Sequence, residues 1–132
     1  MADPKTASFS LPGGTSAASI ARRSVISLEA GLPLGVRHRV ALMLSELVAN
    51  AVQHGGAGPT EIVQVRVAST QRRVRVEVID PGGQPAQHIQ HPDGGYGLLL
   101  VEHLSDDCGR EATADGGSLA WFELDLDGLE DF

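Results

Sequence analysis

Cysteine is nearly absent from this chain: Cys108 stands alone among 132 residues. One thiol cannot close an intramolecular disulfide, and it cannot build a thiolate metal cage. Aromatic residues make up only 4%, so the core has to be assembled from Leu, Val, Ile and Ala. Long apolar runs are missing as well. Stretches such as Gly97 to Val101 fall far short of the ~20 residues that span a bilayer. The opening MADPKTASFSLPGG lacks the positive-then-apolar order of a secretory signal. Positive charge is in deficit, with 17 Asp and Glu against 10 Lys and Arg and a net charge of −7. That balance speaks against direct nucleic-acid binding. These absences together lead us to expect a soluble cytoplasmic protein with no membrane segment.

What is present suffices for a core. The hydrophobic share is 42%, ordinary for a globular protein. The length suggests one domain over 1–132, with its core at about 8–126 and loose tails. Ser8 to Leu11 alternates, which predicts a short edge strand with Phe9 and Leu11 inward. Pro12-Gly13-Gly14 is a turn, and Thr15 or Ser16 is a candidate N-cap for a helix reaching Leu28 to Ala30. Its inner face is Ala17, Ile20, Ala21, Ser24, Val25 and Leu28. A second helix is expected from Leu34–Val36 to His54, closed by the glycines at 55, 56 and 58. Val63, Val65 and Val67, then Val74, Val76 and Val78, alternate with polar residues and read as an antiparallel hairpin with one wet face. Residues 84–95 carry no periodicity and form a polar loop of the kind often used as a lid. A helix from Tyr96 to Leu104, a strand from Cys108 to Ala114, a turn at Asp115-Gly116-Gly117 and a strand from Leu119 to Leu126 complete the order βααββαββ. This segregation predicts an α+β two-layer sandwich, a mostly antiparallel mixed sheet with about three helices on one face.

Three motifs stand out. In SELVANAVQHGG, Leu44, Leu47, Val48, Ala51 and Val52 form a core-facing stripe. Glu46, Asn50 and His54 stand beside it, each four residues after the last, and residues four apart nearly eclipse one another on a helix. These three could be solvated surface groups, with His54 capping the helix end. They could equally line a pocket, where an amide oxygen suits Mg²⁺ and a carboxylate can take a proton. Asp80, before Pro81-Gly82-Gly83, is either ordinary turn chemistry or an acceptor on a pocket floor for an exocyclic amine. Gly94-Gly95-Tyr96-Gly97 opens a helix at Leu98, either as a plain turn or as a place where backbone N–H groups approach a phosphate. No Gly-Lys-Ser/Thr follows, so it is not a P-loop.

The order of the three is more specific than any one of them: acid–x–x–x–Asn on a helix, Asp–x–Gly after a strand, Gly–x–Gly–Leu opening a helix. In that order the chain resembles the ATP-binding fold (the Bergerat or GHKL fold) of histidine kinases, type II topoisomerases, a class of heat-shock chaperones and the MutL repair proteins. Within it, the chain is most similar to the small bacterial anti-sigma-factor serine/threonine kinases. Glu46 to Gly55 looks like their first box, Asp80 to Gly83 the second, and Gly95 to Val101 the third. Gly116 to Leu124 resembles their closing strand pair. The likeness runs from about Phe9 to Leu126.

The resemblance implies specific roles. Asp80 would accept from the adenine amine and Gly82 would keep the base pocket open. Asn50 would hold Mg²⁺ between the phosphates of ATP. Gly95, Tyr96, Gly97 and Leu98 would lie against the phosphates, and Ser118 would serve the closing motif, where threonine is usual. Residues Gln84 to Gly94 would be the ATP lid, and Glu46 the general base toward a partner's serine hydroxyl. The implied partners are a sigma factor, a STAS-domain anti-sigma antagonist phosphorylated on Ser/Thr, and a second copy in a homodimer. The lid carries His88 and His91 but no Lys or Arg, which leaves a catalytically weak, nucleotide-gated binding module as the alternative. The two lid histidines read as polar filler rather than as a metal site.

Overall fold

The computed structural model describes residues 5–27, 32–53, 62–80, 95–114 and 116–126, without the side chains of 53 and 95–99. Within these residues the order is β1 (Lys5–Pro12), α1 (Ala17–Ile26), α2 (Leu34–Gln53), β2 (Ile62–Ser69), β3 (Arg73–Asp80), α3 (Gly95–Leu104), β4 (Asp107–Ala112) and β5 (Ser118–Asp125). The expected βααββαββ order is the observed one. The strands form one sheet in the order β1-β2-β3-β5-β4, and each of its four ladders is antiparallel. The chain leaves β3, passes through α3, and enters the sheet again at its far edge as β4 before β5 fills the gap.

The valine alternation decides which face is buried. Val63, Val65 and Val67 of β2 and Val74, Val76 and Val78 of β3 are all at most 2% exposed. Phe122 and Leu124 continue that face across β5. Helices cover it: α1 contributes Ala17, Ala21 and Val25, and α2 contributes Val40, Met43, Leu44, Leu47, Val48 and Ala51. Full burial of such a side chain stabilises by about 1.5–3 kcal/mol relative to exposure, so the period-2 strands and the helical stripes commit the chain to two layers. With few aromatics, Phe122 is the one large ring among the fully buried described side chains.

The other face of the sheet is polar. Arg75 pairs with Glu77 and Glu123 at 2.9 Å each, Arg73 reaches Glu123 at 2.7 Å, and Arg66 reaches Glu77 at 2.9 Å. Arg75 also lies 4.3 Å from the centroid of the Trp121 ring. Burial works against its charge, but the hydrogen bonds and charges of Glu123 and Glu77 outweigh that and hold its pKa above the usual arginine value.

Several boundaries shift from the sequence reading. β1 starts at Lys5 because it pairs residue by residue with β2, Lys5 opposite Ser69, and that ladder needs backbone rather than apolar alternation. Helix α1 ends at Ile26, where the Ser27 N–H and Oγ both donate to the Arg23 carbonyl. Ser16 takes the N-cap position without a side-chain capping bond. The β2–β3 link is tighter than its polar run suggests, since Thr70 Oγ1 accepts from the N–H groups of Arg72 and Arg73. Gly116 occupies the left-handed region at φ 92° in the β4–β5 turn, where glycine avoids a steric penalty.

Candidate functional site

Asp80 is the inward-facing continuation of β3. Val74, Val76, Val78 and Asp80 alternate onto the helix side, and Asp80 is only 7% exposed. A carboxylate therefore stands where the strand pattern would otherwise put another valine. Burying one costs heavily unless it is hydrogen-bonded. Its register partner on β5 is Ser118, whose Oγ donates to Asp80 Oδ2 at 2.6 Å. Ordinary turn chemistry alone does not describe this buried strand residue.

Helix α2 brings the second group. A four-residue step overshoots a full turn by about 40°, so a line of residues four apart winds around the helix. Along it Leu42 is 44% exposed, Glu46 is half-buried and Asn50 is 8% exposed. The line thus runs from solvent into the core, and Glu46 stands at the boundary. Asn50 Nδ2 is buried and has no hydrogen-bond partner among the described residues. Asn50, Asp80 and Ser118 share the wall of one small cavity, floored by Leu47, Val78 and Ala120. Three elements distant in sequence have delivered an amide, a carboxylate and a hydroxyl to one place. Ser45, buried beside them in sequence, is accounted for locally: its Oγ donates to the Leu42 carbonyl at 2.7 Å.

A wider cavity of about 340 Å³ adjoins the first, between α2, α3 and the β4–β5 edge. Leu47, Ala120 and Arg110 belong to both walls, and the wider one adds Val101, Cys108 and Glu102. Its volume falls within the ~300–1,000 Å³ of small-molecule sites, and its walls are mostly apolar, as such sites are. Arg110 was missed in the sequence reading. The available signal was the pairing of β4 with β5: Arg110 lies opposite Ala120, and Ala120 faces the buried layer.

The glycines of the third motif lie in the first turn of α3, which starts at Gly95 rather than at Leu98. Gly95, Tyr96 and Gly97 therefore supply N–H groups that have no partner within their own helix, and Leu98 follows them in the same turn. Gly82, His54, His88, His91 and the expected lid 84–94 lie outside the described residues.

Residues 14–122 match the family model described as the histidine kinase-like ATPase domain. The chain belongs to that family. No curated protein matches it. Among solved structures, the crystal structure of the RsbU and RsbW domains of Rv1364c from Mycobacterium tuberculosis aligns with a TM-score of 0.67 at 24% identity. The alignment covers 90% of this chain and 32% of that one, so this chain spans about a third of that structure's length, and the likeness is one of fold. The histidine-kinase-like ATP-binding architecture expected from the three boxes is thereby established.

Proposed function

We propose that this protein binds ATP with Mg²⁺ in the cavity walled by Asn50, Asp80 and Ser118, and acts as an anti-sigma-factor serine/threonine kinase. The observation that carries the reading is the convergence of those three side chains, with the Asn50 amide buried and its Nδ2 unpartnered. A buried donor without a partner costs stability. It fits a site completed by a ligand: Nδ2 donates to a phosphate oxygen while Oδ1 stays available to a hard cation. Asp80, fixed by Ser118, accepts from the adenine amine, and Gly82 leaves room for the ring. Gly95, Tyr96 and Gly97 offer backbone N–H groups to the phosphates at the N-terminus of α3, with Leu98 beside them.

Glu46, half-buried one turn before Asn50 on α2, is the general base. It takes the proton from a partner's serine or threonine hydroxyl as that oxygen bonds the γ-phosphorus and the bond to ADP breaks. Mg²⁺ supplies charge neutralisation on the transferring phosphoryl group. The partners of this reading are a sigma factor, held away from polymerase, and a STAS-domain antagonist that receives the phosphate. The working form is a homodimer in the cytoplasm.

A second reading, a nucleotide-gated binding module with slow chemistry, draws on one observation: residues 81–94 contain no Lys or Arg. Calorimetric titration with ATP and ADP, with and without Mg²⁺, tests the pocket. Mg²⁺-strengthened binding is expected; no heat at millimolar nucleotide overturns it. Phosphate transfer to a purified STAS protein separates the kinase from the module.

A further inference from the structure

The geometry points to Arg110 as the residue that reads the acceptor edge of the bound base. This rests on the nucleotide reading above and adds to it a side chain that none of the three boxes contains. Arg110 and Cys108 alternate onto the helix side of β4, and both line the wider cavity. Arg110 also lines the small cavity with Asp80. It is the only cation in either wall among the described residues. Its guanidinium makes no hydrogen bond or ion pair with them, in contrast to Arg66, Arg73 and Arg75 on the opposite face.

The hydrogen-bonding inventory of the pocket shows why a cation there is useful. Adenine presents its exocyclic amine flanked by ring-nitrogen acceptors, so complete recognition needs an acceptor and a donor side by side. Asp80 is the acceptor. Ser118 has one O–H, and it is committed to Asp80 Oδ2. Asn50 stands on α2, assigned above to the phosphates. Arg110, donor only and permanently charged, is the remaining side chain among the described residues of the shared wall that can donate to the base. The pair reads amine and ring nitrogen together, and it disfavours bases that lack either.

The test compares the wild-type protein with Arg110→Ala, titrated with ATP, 1-deaza-ATP, 7-deaza-ATP, and adenosine by competition. Arg110 is an exposed residue of the edge strand, and circular dichroism with a melting curve checks that the variant is folded. The expected result is a loss of about tenfold or more for both ATP and adenosine, as removal of a charge-assisted hydrogen bond gives. One of the two deaza analogues then binds the wild type as weakly as ATP binds the variant, with no further loss when the two changes are combined. A loss confined to ATP, with adenosine unaffected, makes Arg110 a phosphate anchor and overturns the assignment. Unchanged ATP affinity, or deaza losses that simply add to that of the variant, overturns it too. Wild-type protein that binds none of the four compounds removes the nucleotide reading itself, a failure distinct from the others.

Discussion

Ser118 Oγ donates to Asp80 Oδ2 at 2.6 Å, joining the first residue of β5 to the last of β3 across 38 positions of sequence. Because the two are register partners, the sheet itself sets the approach, and the hydroxyl has only to rotate. The bond locks the carboxylate orientation before any ligand arrives. Ser118→Ala leaves a buried acceptor short of a partner, and we expect it to cost about 1–2 kcal/mol of stability. Ser118→Thr keeps the hydroxyl and should stay within about 0.5 kcal/mol of wild type. Asp80→Asn retains a group that can still bond Ser118 but loses the charge. It should fold normally and bind ATP about 10- to 150-fold more weakly. Thermal melts and calorimetry check the three together, and an Asp80→Asn protein with undiminished ATP affinity would remove Asp80 from the base pocket.

Asn50 poses the opposite balance. Its buried Nδ2 has no partner among the described residues, so in the nucleotide-free protein the amide is a cost. Asn50→Leu replaces it with an apolar side chain of similar size. We expect the nucleotide-free variant to melt no lower than wild type, with a gain on the order of 1 kcal/mol. ATP should no longer raise its melting temperature. A marked destabilisation together with retained Mg²⁺–ATP binding would show that the amide serves the fold and not a ligand.

The element order was legible because the signals were strong and redundant. Val63, Val65, Val67, Val74, Val76 and Val78 alternate without a break, and all are buried. The stripe through Leu44, Leu47, Val48 and Ala51 is likewise buried, with Val52 at its margin. Where backbone pairing rather than side-chain patterning decides, the reading fell short, as at the start of β1. Asp80 carried two competing signals. Its parity with the valines puts it inward, and its neighbours Pro-Gly-Gly favour a turn; the strand parity wins. Arg110 was illegible for a different reason. The run Asp107–Ala112 has a burial pattern with no clean alternation, so only its register against β5 reveals which face each residue takes. The boxes could be read in order, but the meeting of Asn50 and Asp80 with Ser118 at one cavity depends on β5 lying beside β3, which the crossover through α3 makes possible.

Glu46 allows chemistry and binding to be separated. It sits one turn from Asn50 and is half-buried; it is not among the described residues of the small cavity's wall. Glu46→Gln keeps size and polarity while removing the proton acceptor. Transfer to a STAS substrate should fall by about 10²- to 10⁴-fold, the range for a positioned general base. ATP affinity should change less than about threefold if the residue only moves a proton. Transfer at the wild-type rate in a single-turnover assay would take the base role away from Glu46, and a parallel collapse of ATP affinity would make it a binding residue.

The open face of the sheet sets a purely structural test. Gly109 lies opposite Trp121, and a Cβ added at Gly109 would come within 2.8–2.9 Å of the Trp121 ring. Such a contact is too short to persist, so either the indole or the edge strand must give. The indole is not free to swing away, since Arg75 covers it at 4.3 Å and is itself anchored by Glu77 and Glu123. Gly109→Ala should therefore destabilise by about 1–3 kcal/mol, the usual cost of overpacking. Trp121→Ala removes the ring and the cation–π contact, worth about 0.5–2 kcal/mol, along with its apolar contacts. The two changes should not add: the three atoms nearest an added Cβ all belong to the Trp121 ring, so with the ring gone the double variant should match Trp121→Ala alone. Urea melts of the four proteins close the cycle. Additive losses would mean that alanine at 109 is opposed by something other than the tryptophan ring.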